Sequence, residues 1–94
     1  MVEISILKKD DTKNGWKFTV NLDSDSYYVE LSKDYWQKLT GSKISPEELI
    51  KKSFQFLLQK EPKEAILKEF NLKIISSYFP EYKEFINREV NKQS

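Results

Sequence analysis

The stretch Ser45-Pro-Glu-Glu-Leu-Ile-Lys-Lys-Ser-Phe-Gln-Phe-Leu-Leu58 constrains the fold more than any other part of this 94-residue chain. Ser45 has the side chain to cap a helix, and Pro46 falls at the first helical position, where its missing N–H costs nothing. Glu48 completes an S-x-x-E capping box, and Ile44 can staple onto Leu49. At ~100° per residue, Leu49, Ile50, Ser53, Phe54, Phe56, Leu57 and Leu58 sweep an arc of roughly 200°, with Glu48, Lys51, Lys52, Gln55 and Gln59 on a narrow polar stripe. An arc that wide must be covered from two sides, so the helix is a core element and the rest of the chain supplies its covers.

The first cover is read from alternation. Val2, Ile4 and Ile6 alternate with Glu3, Ser5 and, less cleanly, Leu7, as in a half-buried strand. Lys8 to Gly15 reads as a long polar loop ending in the Asn14-Gly15 turn signal. Trp16, Phe18, Val20 and Leu22 then alternate strictly with Lys17, Thr19 and Asn21. After the Asp23-Ser-Asp-Ser26 turn, Tyr27, Val29 and Leu31 form a third alternating run. Three such runs joined by polar connections predict an antiparallel meander with one apolar face.

The second cover is helical. Ser32 can cap a short helix through Tyr35, Trp36 and Leu39, ended by Gly41. Beyond the central helix, Pro62 restarts the chain, with Ile66, Leu67 and Phe70 on one side, Glu64/Lys68 as an i,i+4 pair, and Asn71 as a C-terminal cap. Pro80 opens a last helix in which Tyr82, Phe85, Ile86 and Val90 share a face. The expected fold is therefore α+β: a three-stranded antiparallel β-meander within residues 2–31, followed by four to five helices within 32–92, all in a single domain.

Composition removes several functions. The chain has no Cys and no His, so thiolate chemistry, the commonest general base and the commonest zinc ligand are all missing. Two glycines, Gly15 and Gly41, cannot make a phosphate-binding loop. The remaining acids read as caps, turn residues or partners of Lys, and a non-catalytic protein without cofactor or metal is expected. Sixteen basic residues against fifteen acidic ones give a net charge of +1, mixed along the whole chain, without the positive field of a phosphate-binding protein. Apolar runs of three residues fall short of a membrane span, and the chain reads as a cytoplasmic protein.

The block Ser53-Phe-Gln-Phe-Leu-Leu58, Glu61-Pro-Lys-Glu-Ala-Ile-Leu67, Phe70-Asn-Leu72 and Tyr78-Phe-Pro-Glu-Tyr82 resembles the shared core of a family of small uncharacterised prokaryotic proteins. The resemblance covers about the C-terminal half and implies a small intracellular single-domain protein, with no catalytic residue to carry over. In order of elements alone, Tyr27 to Leu31 and Ser45 to Leu49 are similar to the small antitoxins of the HicB type. The glycine-rich, cysteine-bearing strand turn of that group is missing here.

Four constellations remain. Asp23-Ser-Asp25 begins like a calcium loop, but Tyr28 stands where glycine is needed, and a hairpin turn explains the aspartates. Ile66 to Phe79 has the cadence of a helix-turn-helix, in which Lys73, Ser76 and Ser77, helped by Lys63 and Lys68, would meet a nucleic-acid duplex. Two helices packed round a corner of the core is the simpler reading. Lys8, Lys9, Lys13 and Lys17 surround Trp16 on the first hairpin as in single-strand binders, although Asp10, Asp11 and Asp23 sit among them. Finally, thirteen aromatics exceed what one small core needs, and Tyr28, Tyr35, Trp36, Tyr78 and Tyr82 are candidates for a protein-binding or homodimer surface. An exposed apolar patch ringed by Lys and Glu would favour a protein partner; a basic concave surface would favour nucleic acid.

If the central helix is covered from both sides, Phe56→Ala costs ~3 to 5 kcal/mol in chemical denaturation. A loss below ~1 kcal/mol would show Phe56 to be peripheral.

Overall fold

The computed structural model describes residues 2–92. The three alternating runs form β1 (Ile4–Asp11), β2 (Gly15–Leu22) and β3 (Asp25–Ser32), each antiparallel to the next. Phe18, Val20, Leu22, Tyr27, Val29 and Leu31 all point to the buried face. β1 runs through most of what reads in sequence as loop, leaving only Thr12 to Asn14 for the turn, closed by Thr12 N–H donating to the Gly15 carbonyl at 2.9 Å. A bulge makes this extension workable. Ile6 pairs with Val20 and Lys8 with Thr19, so Leu7 is the extra residue and is turned outward, 61% exposed. Beyond it, Lys9 lies opposite Phe18, stretches over the Trp16 ring at 5.4 Å and reaches Glu47 at 3.1 Å.

Gly15 has a role different from the turn role its Asn-Gly context implies. Its φ is not positive; what matters is that the start of β2 crosses directly against the end of β3. A Cβ there would lie 2.1 Å from the Leu31 carbonyl oxygen and 2.8 Å from the Ser32 Cα. The neighbouring Asn14 carbonyl accepts from Lys33 N–H at 2.8 Å, which ties the first hairpin to the following helix.

That helix, α1 (Lys33–Thr40), starts as its sequence indicates. The Ser32 hydroxyl accepts from Tyr35 N–H, and Gly41 ends it at φ 63°. α2 (Pro46–Lys60) is capped by Ser45, whose Oγ accepts from Glu48 N–H at 3.1 Å. Its two flanks are buried on different neighbours. Phe54 meets Tyr27 of the sheet at 5.8 Å and Phe70 at 6.1 Å, whereas Phe56 meets Phe79, Tyr82 and Phe85 at 5.7, 5.4 and 5.1 Å.

The expected helix after Pro62 is absent. Lys63–Ala65 makes a single 3-10 turn, and Glu69–Asn71 is a fourth strand, β4, parallel to β3, giving a four-stranded sheet of order β1-β2-β3-β4. Tertiary hydrogen bonds outweigh local helix propensity in so short a segment. The Lys63 carbonyl accepts from the Tyr27 hydroxyl at 2.7 Å, and the Lys68 carbonyl accepts from Tyr28 N–H at 2.8 Å. Lys68 turns away from Glu64 to Asp25 at 3.8 Å and lies over the Tyr27 ring at 4.4 Å. Asn71 begins an element instead of ending one: its side chain accepts from Lys73 N–H at the head of a 3-10 turn, Leu72–Ile74, which leads into α3 (Ile75–Tyr78). The helix-turn-helix reading of 63–79 therefore lacks its first helix, and its second is one turn long. The last helix, α4 (Tyr82–Lys92), buries Tyr82, Ile86 and Val90 as one stripe. No helix among the described residues is long and apolar enough to cross a membrane.

Gly15→Ala should destabilise the protein by about 2 to 3 kcal/mol in urea unfolding, because backbone atoms of β3 would have to move to admit one methyl group. A change below about 0.5 kcal/mol would contradict the close crossing.

Candidate functional site

All the helices lie on one face of the sheet, and the surfaces left open include the outer sheet face, the corner where α2, β4 and α3 meet, and a wider hollow of about 920 Å³ between β1 and α2, where Lys51, Glu61, Lys63 and Glu64 are among the lining residues. Tyr28 is central to the first and 43% exposed, set between Thr19 of β2 and Glu69 of β4. Its surroundings are polar and mostly paired. Lys17 holds Glu69 at 3.0 Å and Lys8 holds Asp10 at 3.8 Å. The basic cluster of the first hairpin is thereby largely neutralised, and Trp16 packs edge-on against Trp36 at 5.6 Å instead of facing solvent as a stacking platform.

Three of the five candidate aromatics belong to the interior or its rim. Tyr82 is 0% exposed, and its hydroxyl lies 2.6 Å from Ser53 Oγ, which also donates to the Leu49 carbonyl at 2.7 Å. Burial pushes the Tyr82 phenol far above its ordinary pKa, fixing it as a neutral hydrogen-bonding group. Tyr82 is thus a core residue and no part of a surface: α4 starts two residues after Pro80, which aims its first side chain at α2. Trp36 is half-buried and donates from Nε1 to the Ile44 carbonyl at 2.9 Å, fastening the α1–α2 connection. Tyr35 is half-buried too, and its hydroxyl is buried without a hydrogen-bond partner among the described residues. Ser76 is the nearby hydroxyl; it donates its own proton to the Lys73 carbonyl at 3.0 Å and does not stand in hydrogen-bonding geometry to Tyr35.

The nucleic-acid candidates are dispersed. Lys63 is held by Asp25 at 3.1 Å and Asp23 at 3.5 Å, and the hydrogen bond with Lys63 keeps the Asp25 carboxyl below its usual pKa. Lys68 shares Asp25. Lys73 and Ser77 are exposed, and Ser76 is half-buried and bonded to its own turn. These residues make no continuous basic surface.

The corner is different. A concave groove of about 200 Å³ opens there, floored by the buried side chains of Leu57, Ile66, Phe70 and Ile75. Leu67 and Tyr78 stand on its rim, 50% and 64% exposed. Glu61 is the one charged residue lining it among those described, and no ion pair or hydrogen bond of its carboxylate occurs among them. Each feature has a local cause. Glu61 ends α2, with its N–H donating to the Leu57 carbonyl at 2.8 Å, and the chain leaves in an extended conformation. After the 3-10 turn Lys63–Ala65 the chain bends at Ile66, whose side chain is buried, and leaves Leu67 outside ahead of β4. Tyr78 closes α3, after which Phe79 turns back onto Phe56. Of these residues, only Tyr78 is recognisable in sequence as a surface candidate. Leu67 reads in sequence as part of one helix face with Ile66 and Phe70, and nothing local marks it for exposure.

No group of three or more acidic side chains that could hold a metal occurs among the described residues. Compared with models of protein families, with curated proteins and with solved structures, the chain matches none.

The two tyrosine hydroxyls give opposite expectations. Tyr35→Phe removes a buried group with no partner and should leave stability unchanged or raise it by up to about 1 kcal/mol, whereas Tyr82→Phe breaks the bond to Ser53 and should lower it by about 1 kcal/mol. Thermal unfolding of both variants checks the pair; the same sign for both would contradict the assignment.

Proposed function

We propose that this protein is a small, non-catalytic interaction module of the cytoplasm that docks a partner protein at the groove between α2, β4 and α3. The observation that carries the reading is the joint exposure of Leu67 and Tyr78 beside an apolar hollow. Large apolar side chains left outside and rimming a concavity are the pattern of an interface anchor site, not of ordinary surface.

Size supports a protein partner over a metabolite. Pockets for small molecules usually enclose roughly 300 to 1,000 Å³; the groove, at about 200 Å³, fits one or two side chains of a larger surface. Nucleic acid is supported less well, since Lys63 and Lys68 are occupied by Asp23 and Asp25 and only Lys73 remains as a free cation of the candidate set. Of the expected aromatic anchors, Tyr78 takes the central part, Leu67 replaces Tyr82 beside it, and Tyr28 belongs to a separate, polar face.

A photo-crosslinking phenylalanine analogue at position 78, introduced in cells, should give a discrete adduct with another protein, and Leu67→Ser should reduce that adduct at least tenfold while leaving the melting temperature nearly unchanged. An adduct with a second copy of the chain would assign the groove to self-association. Adduct formation indifferent to Leu67→Ser, or none from position 78, would overturn the reading.

A further inference from the structure

The groove holds an asymmetry that the docking proposal leaves unused: nine of its ten lining residues carry no charge and the tenth is Glu61, whose carboxylate makes no ion pair among the described residues. A purely apolar occupant would cover that carboxylate without a partner, and burying an unpaired charge is strongly unfavourable. An acidic occupant would add repulsion. The complementary occupant brings an apolar stem and a positive end.

The same molecule shows three times how it satisfies such a combination. Lys9 lies over the Trp16 ring at 5.4 Å with its ammonium on Glu47 at 3.1 Å. Lys60 lies over Phe56 at 5.4 Å and pairs with Glu81 at 3.3 Å. Lys68 lies over Tyr27 at 4.4 Å and pairs with Asp25 at 3.8 Å. In each, a long aliphatic stem covers apolar surface, the ring face attracts the cation, and a carboxylate fixes its end. Glu61 and Tyr78 supply the carboxylate and the ring of a fourth such arrangement within one groove, and the described chain provides no lysine or arginine to complete it.

We infer that the groove recognises a basic anchor: an Arg or Lys side chain of the partner protein, flanked by an apolar residue, with its methylenes on the Leu57–Ile66–Ile75 floor, its charge on Glu61 and the Tyr78 ring over it. Arginine is the better fit, since a planar guanidinium can stack on the ring and bond the carboxylate with two N–H groups at once. The inference rests on the docking reading and specifies its chemistry.

The test is selection of a random dodecapeptide library displayed on phage against the wild-type protein and against Tyr78→Ser, followed by fluorescence titration of the synthetic peptides that depend on Tyr78. Peptides with Arg or Lys next to Leu, Ile, Met or Phe should be enriched. Replacing the Arg of the best peptide with citrulline, its neutral isostere, should weaken binding to wild type about tenfold, and Glu61→Gln should abolish the difference between the two peptides. Equal binding of the arginine and citrulline peptides, or Tyr78-dependent peptides without a basic residue, overturns the basic anchor while leaving the docking groove standing. Recovery of no Tyr78-dependent peptide overturns the docking reading and this inference together. The citrulline comparison on wild-type protein keeps the test decisive even if Glu61→Gln impairs folding.

Discussion

Phe54 and Phe56 leave α2 two residues apart, which at ~100° per residue sends them to nearly opposite sides of the helix. One is closed over by Tyr27 and Phe70, the other by Phe79, Tyr82 and Phe85. Everything else in the chain is arranged so that both sides are covered at once. The meander offers its apolar face to the Phe54 side, and the Pro80 turn brings α4 across the Phe56 side. Between these layers the single buried polar feature of the helix, Ser53, is matched to Tyr82 at 2.6 Å. A chain this size has little core to spare, and a helix exposed on either flank would forfeit much of its stability margin.

The parts of this arrangement that were legible in sequence are those whose signal is local. The Ser45-Pro46 start, the Ser32 and Gly41 caps and the alternation of β2 and β3 each report on a few consecutive residues, and the structure places all of them as read. The failures share a cause. β1 extends through Lys8 to Asp11 because Leu7 bulges and Lys9 finds Trp16 and Glu47, partners far off in sequence. Residues 69–71 become a strand because β3 has an open edge that accepts them. Gly15 reads as a turn glycine, yet its necessity comes from the Leu31 carbonyl 2.1 Å from where its Cβ would stand. Periodicity reports which residues want burial, and it is silent about which edge is free or which backbone will cross.

Surface chemistry was harder still to read, because a lysine's partner decides its meaning. Lys63 and Lys68 look in sequence like the helpers of a DNA-facing helix; in the fold they close the Asp23–Asp25 turn and tie β4 to β3. Tyr35, Trp36 and Tyr82 read in sequence as surplus aromatics; in the fold Trp36 fastens α1 to Ile44, Tyr35 packs half-buried against the core and Tyr82 sits inside it. Of the five candidates, Tyr28 and Tyr78 are the ones left exposed.

The groove and the misread segment are one event. A helix continuing from Pro62 to Phe70 would turn both Ile66 and Leu67 toward α2, and adjacent residues on one helical face would fill the space beside Leu57. The chain instead passes through a 3-10 turn and bends at Ile66 and Lys68 before β4 begins at Glu69. Ile66 and Phe70 therefore reach the core while Leu67 is stranded outside, and the hollow between α2 and α3 stays open with Glu61 at its edge. Joining β4 to the sheet gains backbone hydrogen bonds for the open edge of β3 and leaves an apolar side chain in water. Folding alone gains nothing from that exposure, which is why the corner, and not the more heavily charged outer sheet, is where a binding function is best sought.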